Sequence, residues 1–193
     1  MDEAIDILQE YYKDFDHVLI YDNATTHLKR AEDALSARKM PKKTPKPGQN
    51  WGIEISKHDP VTGKLVYCPD RSIEKNKILM HDGRFKNGEP QPLYFPMDNP
   101  DKNLRGMFKG MAVILQERGF GNMSKVLEQC KGFKCIPASG ETMCCCRRIL
   151  YNQPDFAEGE SLLETHCCRC GIHDVVFLPK FHCELNFIEQ CWG

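Results

Sequence analysis

Two short apolar runs at opposite ends of the chain constrain the fold more than any other feature of its 193 residues. His17, Val18, Leu19, Ile20 and Tyr21 form the first; Asp174, Val175, Val176, Phe177 and Leu178 form the second. Both are rich in strand-forming residues, and short uninterrupted apolar runs suit strands buried in a sheet. Asp22 and Asn23 end the first run, since both favour turns over strand interiors. Pro179 breaks the second. An acid follows each strand: Asp22 directly, and Glu189 on a final helix expected over 185–192. In an open α/β sheet the strand ends are where ligands bind. Two acids delivered there can share a hard cation such as Mg²⁺, which takes few carboxylates and leaves its other positions to water and phosphate.

Between these ends the pattern changes repeatedly. Residues 2–13 read as an amphipathic helix with Ile5, Leu8 and Tyr12 on one face. Thr25 or Thr26 can cap a second helix over 27–39. Residues 51–56 and 64–68 flank Asp59, Pro60 and Gly63 and predict a hairpin with a longer loop. Residues 81–100 read as irregular loop. A helix over 103–118 would place Leu104, Phe108, Met111 and Leu115 together, with Gly119 as its C-cap. Shorter helices are expected at 122–130 and 143–152, and another over 159–170.

The net charge of -1 rules out a polyanion-binding character for the whole chain, so any nucleic-acid surface must be local. The most basic stretch runs from Arg38 and Lys39 through Lys42, Lys43 and Lys46, with Pro41, Pro45 and Pro47 between them. It reads either as a solvated linker or as a contact to DNA phosphates. Arg147 and Arg148 carry the same two readings, phosphate contact or surface ion pair. No apolar run approaches the ~20 residues of a membrane span, and the acidic start MDEAIDILQE lacks the shape of a secretion signal. A reducing compartment is therefore expected, and in it eleven cysteines are thiols or metal ligands rather than disulfides. Cys130, Cys135, Cys144 and Cys145 can supply four thiolates to one Zn²⁺. The bland alternative is a set of buried thiols.

The two end segments together resemble the second and third signature motifs of mariner-like DDE transposases. Asp22-Asn23 with His27 matches one; Leu178-Pro179, Phe181, Leu185-Asn186, Ile188-Glu189 and Trp192 match the other. The wording His182-Cys183-Glu184-Leu185-Asn186 is closest to DDE endonuclease-like proteins of fungal mobile elements, and the segments around Phe108-Lys109-Gly110 and Arg147-Arg148 are similar to that subgroup. The resemblance implies an α/β, ribonuclease-H-like (integrase/transposase) fold, here partial, split into 1–40 and 158–193 by a large α+β insertion over 41–157. It further implies a nuclear, DNA-binding protein, compatible with a homo-oligomer, whose parent family cuts and joins DNA by two-metal phosphoryl transfer with Mg²⁺ or Mn²⁺. Asp22 would be the second of the family's three carboxylates and Glu189 the third; Glu184 is a weaker candidate. The first Asp has no match, so the expectation is a truncated, catalytically incomplete copy. The rival expectation is a non-catalytic, cysteine-rich remnant that binds nucleic acid or protein. His27 is expected to hydrogen-bond the Asp22 turn rather than to ligate metal.

Overall fold

The computed structural model describes residues 2–135, 144–180, 182 and 185. Among them the architecture is mixed α/β, with three two-stranded sheets and five short α-helices. None of these helices is long and apolar enough to cross a membrane. The chain divides into two units, Met1–Ala31 with Glu160–Gly193, and Glu32–Gly159.

The first unit is organised by the two apolar runs. Strands β1 (Val18–Tyr21) and β6 (Asp174–Phe177) pair in parallel, with Val18 opposite Asp174 and Tyr21 opposite Phe177. The ladder continues past the strands, since Leu178 N donates to Tyr21 O at 2.8 Å. One face of the pair, through Leu19 and Val175, packs against Ile5 and Leu8 of helix α1 (Asp2–Tyr11) and Leu163 and Cys167 of helix α5 (Leu162–Arg169). The opposite face, carrying Val18, Ile20 and Val176, is exposed. Helix α5 begins at a capping box: Ser161 Oγ accepts from Glu164 N while Glu164 Oε2 accepts from Ser161 N.

The second unit carries the larger core. Met40, Leu93, Phe108, Met111, Ile114, Leu115 and Leu150 are fully buried in it. Strand β2 (Ile53–Ser56) pairs antiparallel with β3 (Lys75–Ile78), not with 64–68. The expected turn nevertheless forms. Asp59 Oδ1 accepts from Val61 N and Thr62 N, and Asp59 N donates to Lys64 O. Residues 65–68 then run between Lys57 and Glu74, so the segment is a meander rather than a simple hairpin. A tight hairpin of β4 (Gly83–Arg84) and β5 (Pro90–Gln91) lies within the stretch expected to be loop.

Two expected helices are corrected. No helix spans 27–39; a single turn at 24–28 and a 3-10 turn at Ala37–Lys39 take its place. The Lys29 carbonyl accepts from Leu162 N and the Asp33 carbonyl from His81 N, so long-range partners take bonds that a helix would have used. The helix expected over 103–118 is only α2 (Met111–Glu117). Gly106 and Gly110 adopt φ of 68° and 86°, and Phe108 lies in an extended bridge with Tyr94. At Gly110 a Cβ would fall 2.6 Å from the Lys43 carbonyl carbon, so only glycine admits this close backbone approach. Residues 122–130 form turns, whereas α3 (Cys146–Tyr151) falls inside the expected 143–152 and is followed by α4 (Pro154–Ala157). The helix expected at 185–192 lies outside the described residues.

Candidate metal centre

A knuckle and a helix start bring four sulfurs together. In the knuckle, Cys130–Cys135, Phe133 N donates to Cys130 O and Cys135 N to Phe133 O. Gly132 (φ 61°) and Phe133 (φ 57°) both adopt left-handed backbone, which turns the chain back within six residues. That conformation is unfavourable for Phe133, whose ring is held 4.2 Å from the Arg148 guanidinium and edge-on to Tyr151. The other two sulfurs come from Cys144 and Cys145, where the chain enters α3 through the extended Cys145 (φ -155°, ψ 154°). A parallel bridge between Leu127 and Cys145, with Cys146 N donating to Leu127 O, fixes this entry beside the knuckle.

The four Sγ atoms all lie within 4.8 Å of one another, and Cys135 Sγ and Cys145 Sγ are 3.9 Å apart. A tetrahedron with metal–sulfur bonds of about 2.3 Å has edges of about 3.8 Å. The spacing is far too long for a disulfide and close to that of a tetrathiolate, so these cysteines can hold a metal ion. They form the one such group among the described residues.

The thiols differ electrostatically. Hydrogen bonding with Cys144, together with desolvation, pushes Cys130 up to about 12. Burial pushes Cys144 up as well. Cys135 goes the other way, because Arg148 donates to its sulfur and favours the thiolate. A cation therefore already lies against one corner of the cluster. Arg148, expected as a phosphate contact or a surface ion pair, thus serves a cysteine sulfur instead, a role not foreseen; an arginine three residues from Cys145 on a helix start was the available signal.

The remaining expected site residues have different fates. Asp22 follows β1, and its Oδ1 lies 2.6 Å from His27 Nδ1, as the reading of His27 anticipated. Glu189, Glu184, Asn186 and Trp192 lie outside the described residues, so the expected convergence of Asp22 with Glu189 does too. Lys39, Lys43 and Lys46 are exposed. Lys42 is not a free phosphate contact: its Nζ donates to Ser124 O at 2.8 Å and Val126 O at 2.5 Å. Arg147 is buried, donating to Ala37 O, to Met40 O at 3.1 Å and to Glu128 Oε1 at 3.2 Å. These two cations serve the fold because backbone carbonyls of neighbouring segments converge on them. The basic proline-rich segment is correspondingly no loose linker; Met111 N and Ala112 N donate to Pro41 O and Lys42 O.

No protein-family model, curated protein or solved structure matches the chain. The donor set itself is therefore what speaks to chemistry. Four thiolates suit Zn²⁺, a borderline-soft cation with no preference against tetrahedral geometry.

Proposed function

We propose that this chain is a DNA-binding protein derived from a DDE transposase, in which the unit Glu32–Gly159 is built around a structural Zn²⁺ held by Cys130, Cys135, Cys144 and Cys145. The observation that carries the zinc centre is the convergence of four sulfurs, from two segments, at tetrathiolate spacing; the DNA-binding part rests on the motif resemblance at the two ends of the chain. The bound ion would cross-link the knuckle to the start of α3, with all four positions filled by protein and none left for a reacting water. In the other unit, the parallel β1–β6 pair supports a partial ribonuclease-H-like sheet. Asp22 and the Leu178–Pro179 segment leave that pair at the same end. That is where the family's second and third motifs would meet. Under this reading Asp22 and Glu189 would bind Mg²⁺ or Mn²⁺. The 193 residues match two of the three carboxylates, and a two-metal clamp on the attacking and leaving oxygens needs all three. The chain by itself then binds DNA without cutting it.

Two measurements test the proposal. Metal analysis of protein purified under reducing conditions should find about one Zn per chain; a stably folded, metal-free protein removes the zinc centre. A supercoiled-plasmid assay with Mg²⁺ or Mn²⁺ should show no nicking. Nicking that vanishes in both Asp22→Ala and Glu189→Ala would reveal a third ligand within these residues and overturn the inactive reading.

A further inference from the structure

Three segments distant in sequence meet around the buried Arg147. Its guanidinium takes carbonyls from Ala37 and Met40 and the carboxylate of Glu128, and its own N–H donates to Glu128 O. Lys42 closes a second link between the same segments through Ser124 O and Val126 O. Residues 37–46, 124–135 and 144–151 are thereby tied together. Glu128 is the single acid in them, and it is already paired with Arg147. Once Arg147 and Lys42 are set aside as internal struts and Arg148 as the partner of Cys135, seven cations remain exposed: Arg38, Lys39, Lys43, Lys46, Lys125, Lys131 and Lys134. A chain of net charge -1 thus gathers an almost acid-free set of segments beside its metal centre.

We propose that these three segments form one surface that binds the phosphate backbone of duplex DNA, with the cysteine knuckle and the proline-rich segment as its two halves. The proposal deepens the DNA-binding reading above by naming where the duplex is held. Four thiolates around a dication carry a formal charge of -2, which would repel phosphate. Arg148 against Cys135, with Lys131 and Lys134 on the knuckle itself, opposes that charge where the duplex would approach. The cations are flexible, exposed side chains, so they position the backbone and read no base sequence. The surface is sequence-indifferent and its affinity falls steeply with salt.

The test is anisotropy of a labelled duplex with the full chain over a range of salt, with metal content measured on each preparation. One variant carries Lys125→Gln, Lys131→Gln and Lys134→Gln; a second carries Arg38→Gln, Lys39→Gln, Lys43→Gln and Lys46→Gln. Each neutralised contact should remove about 0.9 from the slope of log affinity against log salt, so the first variant loses about 2.7 and the second about 3.6. Affinity near 0.1 M salt should fall at least about tenfold in each, with metal content unchanged. A knuckle variant that binds like the parent protein, while the other does not, overturns the single surface. A parent protein that fails to bind duplex, or prefers single strands, also overturns it. Metal-free protein that binds with both sets contributing supports the surface while refuting the zinc centre.

Discussion

Replacing Asp155 with Ala should destabilise the unit Glu32–Gly159 by about 3–5 kcal/mol, the cost of stranding one member of a buried ion pair. The pair is Arg118–Asp155, in which both side chains are almost fully buried. Arg118 Nη1 and Nη2 donate to the two carboxylate oxygens at 2.8 and 2.7 Å, a bidentate fork. Asp155 Oδ2 also accepts from Arg84 N at 2.8 Å, and Arg118 Nε donates to Gln91 Oε1 at 2.7 Å. One carboxylate thus ties the β4–β5 hairpin, the residue after α2 and helix α4. In Asp155→Ala the guanidinium keeps only Gln91 and the Phe156 ring at 5.4 Å. The loss should lower the melting temperature of this unit by roughly 10–20 °C. Trp51, packed 4.4 Å from Phe108 in the same core, reports on unfolding in a Trp192→Phe background. The paired change Arg118→Met with Asp155→Leu should recover part of the loss, because apolar residues of similar volume remove both charges' desolvation penalties together, while Arg84 N and Gln91 Oε1 lose their partners. A cost below about 1 kcal/mol for Asp155→Ala, or a double variant worse than the single, would refute the account. Acid gives an independent check. Burial alone would push Asp155 up, but the Arg118 hydrogen bonds, the Arg84 N–H and the guanidinium charge together hold it below the usual carboxylate range. Its contribution is therefore present above the unfolded value near pH 4, about the ordinary Asp range, and is lost as pH falls through the lowered folded value.

Gly110→Ala should cost at least about 2 kcal/mol in the same denaturation assay. It combines a left-handed backbone with a Cβ pressed onto the Lys42–Thr44 main chain. An equal melting temperature would show that this approach can relax. Metal retention should fall as the solution is acidified, since the raised thiols of Cys130 and Cys144 must give up protons to bind. Equilibrium dialysis showing pH-independent occupancy between about pH 5 and 8 would exclude thiolate ligation.

Strands β1, β2 and β6 and helices α1, α3 and α5 were legible because their signals are local, whereas β3, β4 and β5 were not. Unbroken apolar runs locate β1 and β6 to within a residue, and a cysteine-rich stretch locates the candidate ligands. Register between β1 and β6 was not legible, because pairing across so much intervening chain leaves no spacing to read. The failures at 27–39 and 103–118 share a cause. A capping threonine before 27–39 and helical periodicity over 103–118 were present, but carbonyls claimed by Leu162 N and His81 N, and left-handed Gly106 and Gly110, took the backbone elsewhere. Lys42 and Arg147 show the same limit for the site. Their charges suggested solvent and phosphate, whereas the partners that neutralise them are main-chain oxygens supplied by distant segments.

The β1–β6 pairing also sets a timetable for synthesis. β1 ends at residue 21 and its partner begins at residue 174. At about 5–20 residues per second, β1 leaves the ribosome roughly 8–30 seconds before the strand it must pair with. Throughout that interval Val18, Leu19 and Ile20 have no partner strand, while the sequence of the unit Glu32–Gly159, whose core is entirely its own, can emerge and fold. Chains ending before residue 174 and tethered to the ribosome by a linker long enough to clear the exit tunnel should therefore show protease protection of Glu32–Gly159 while the first thirty residues remain cleavable, a burden that falls on chaperones rather than on the finished fold.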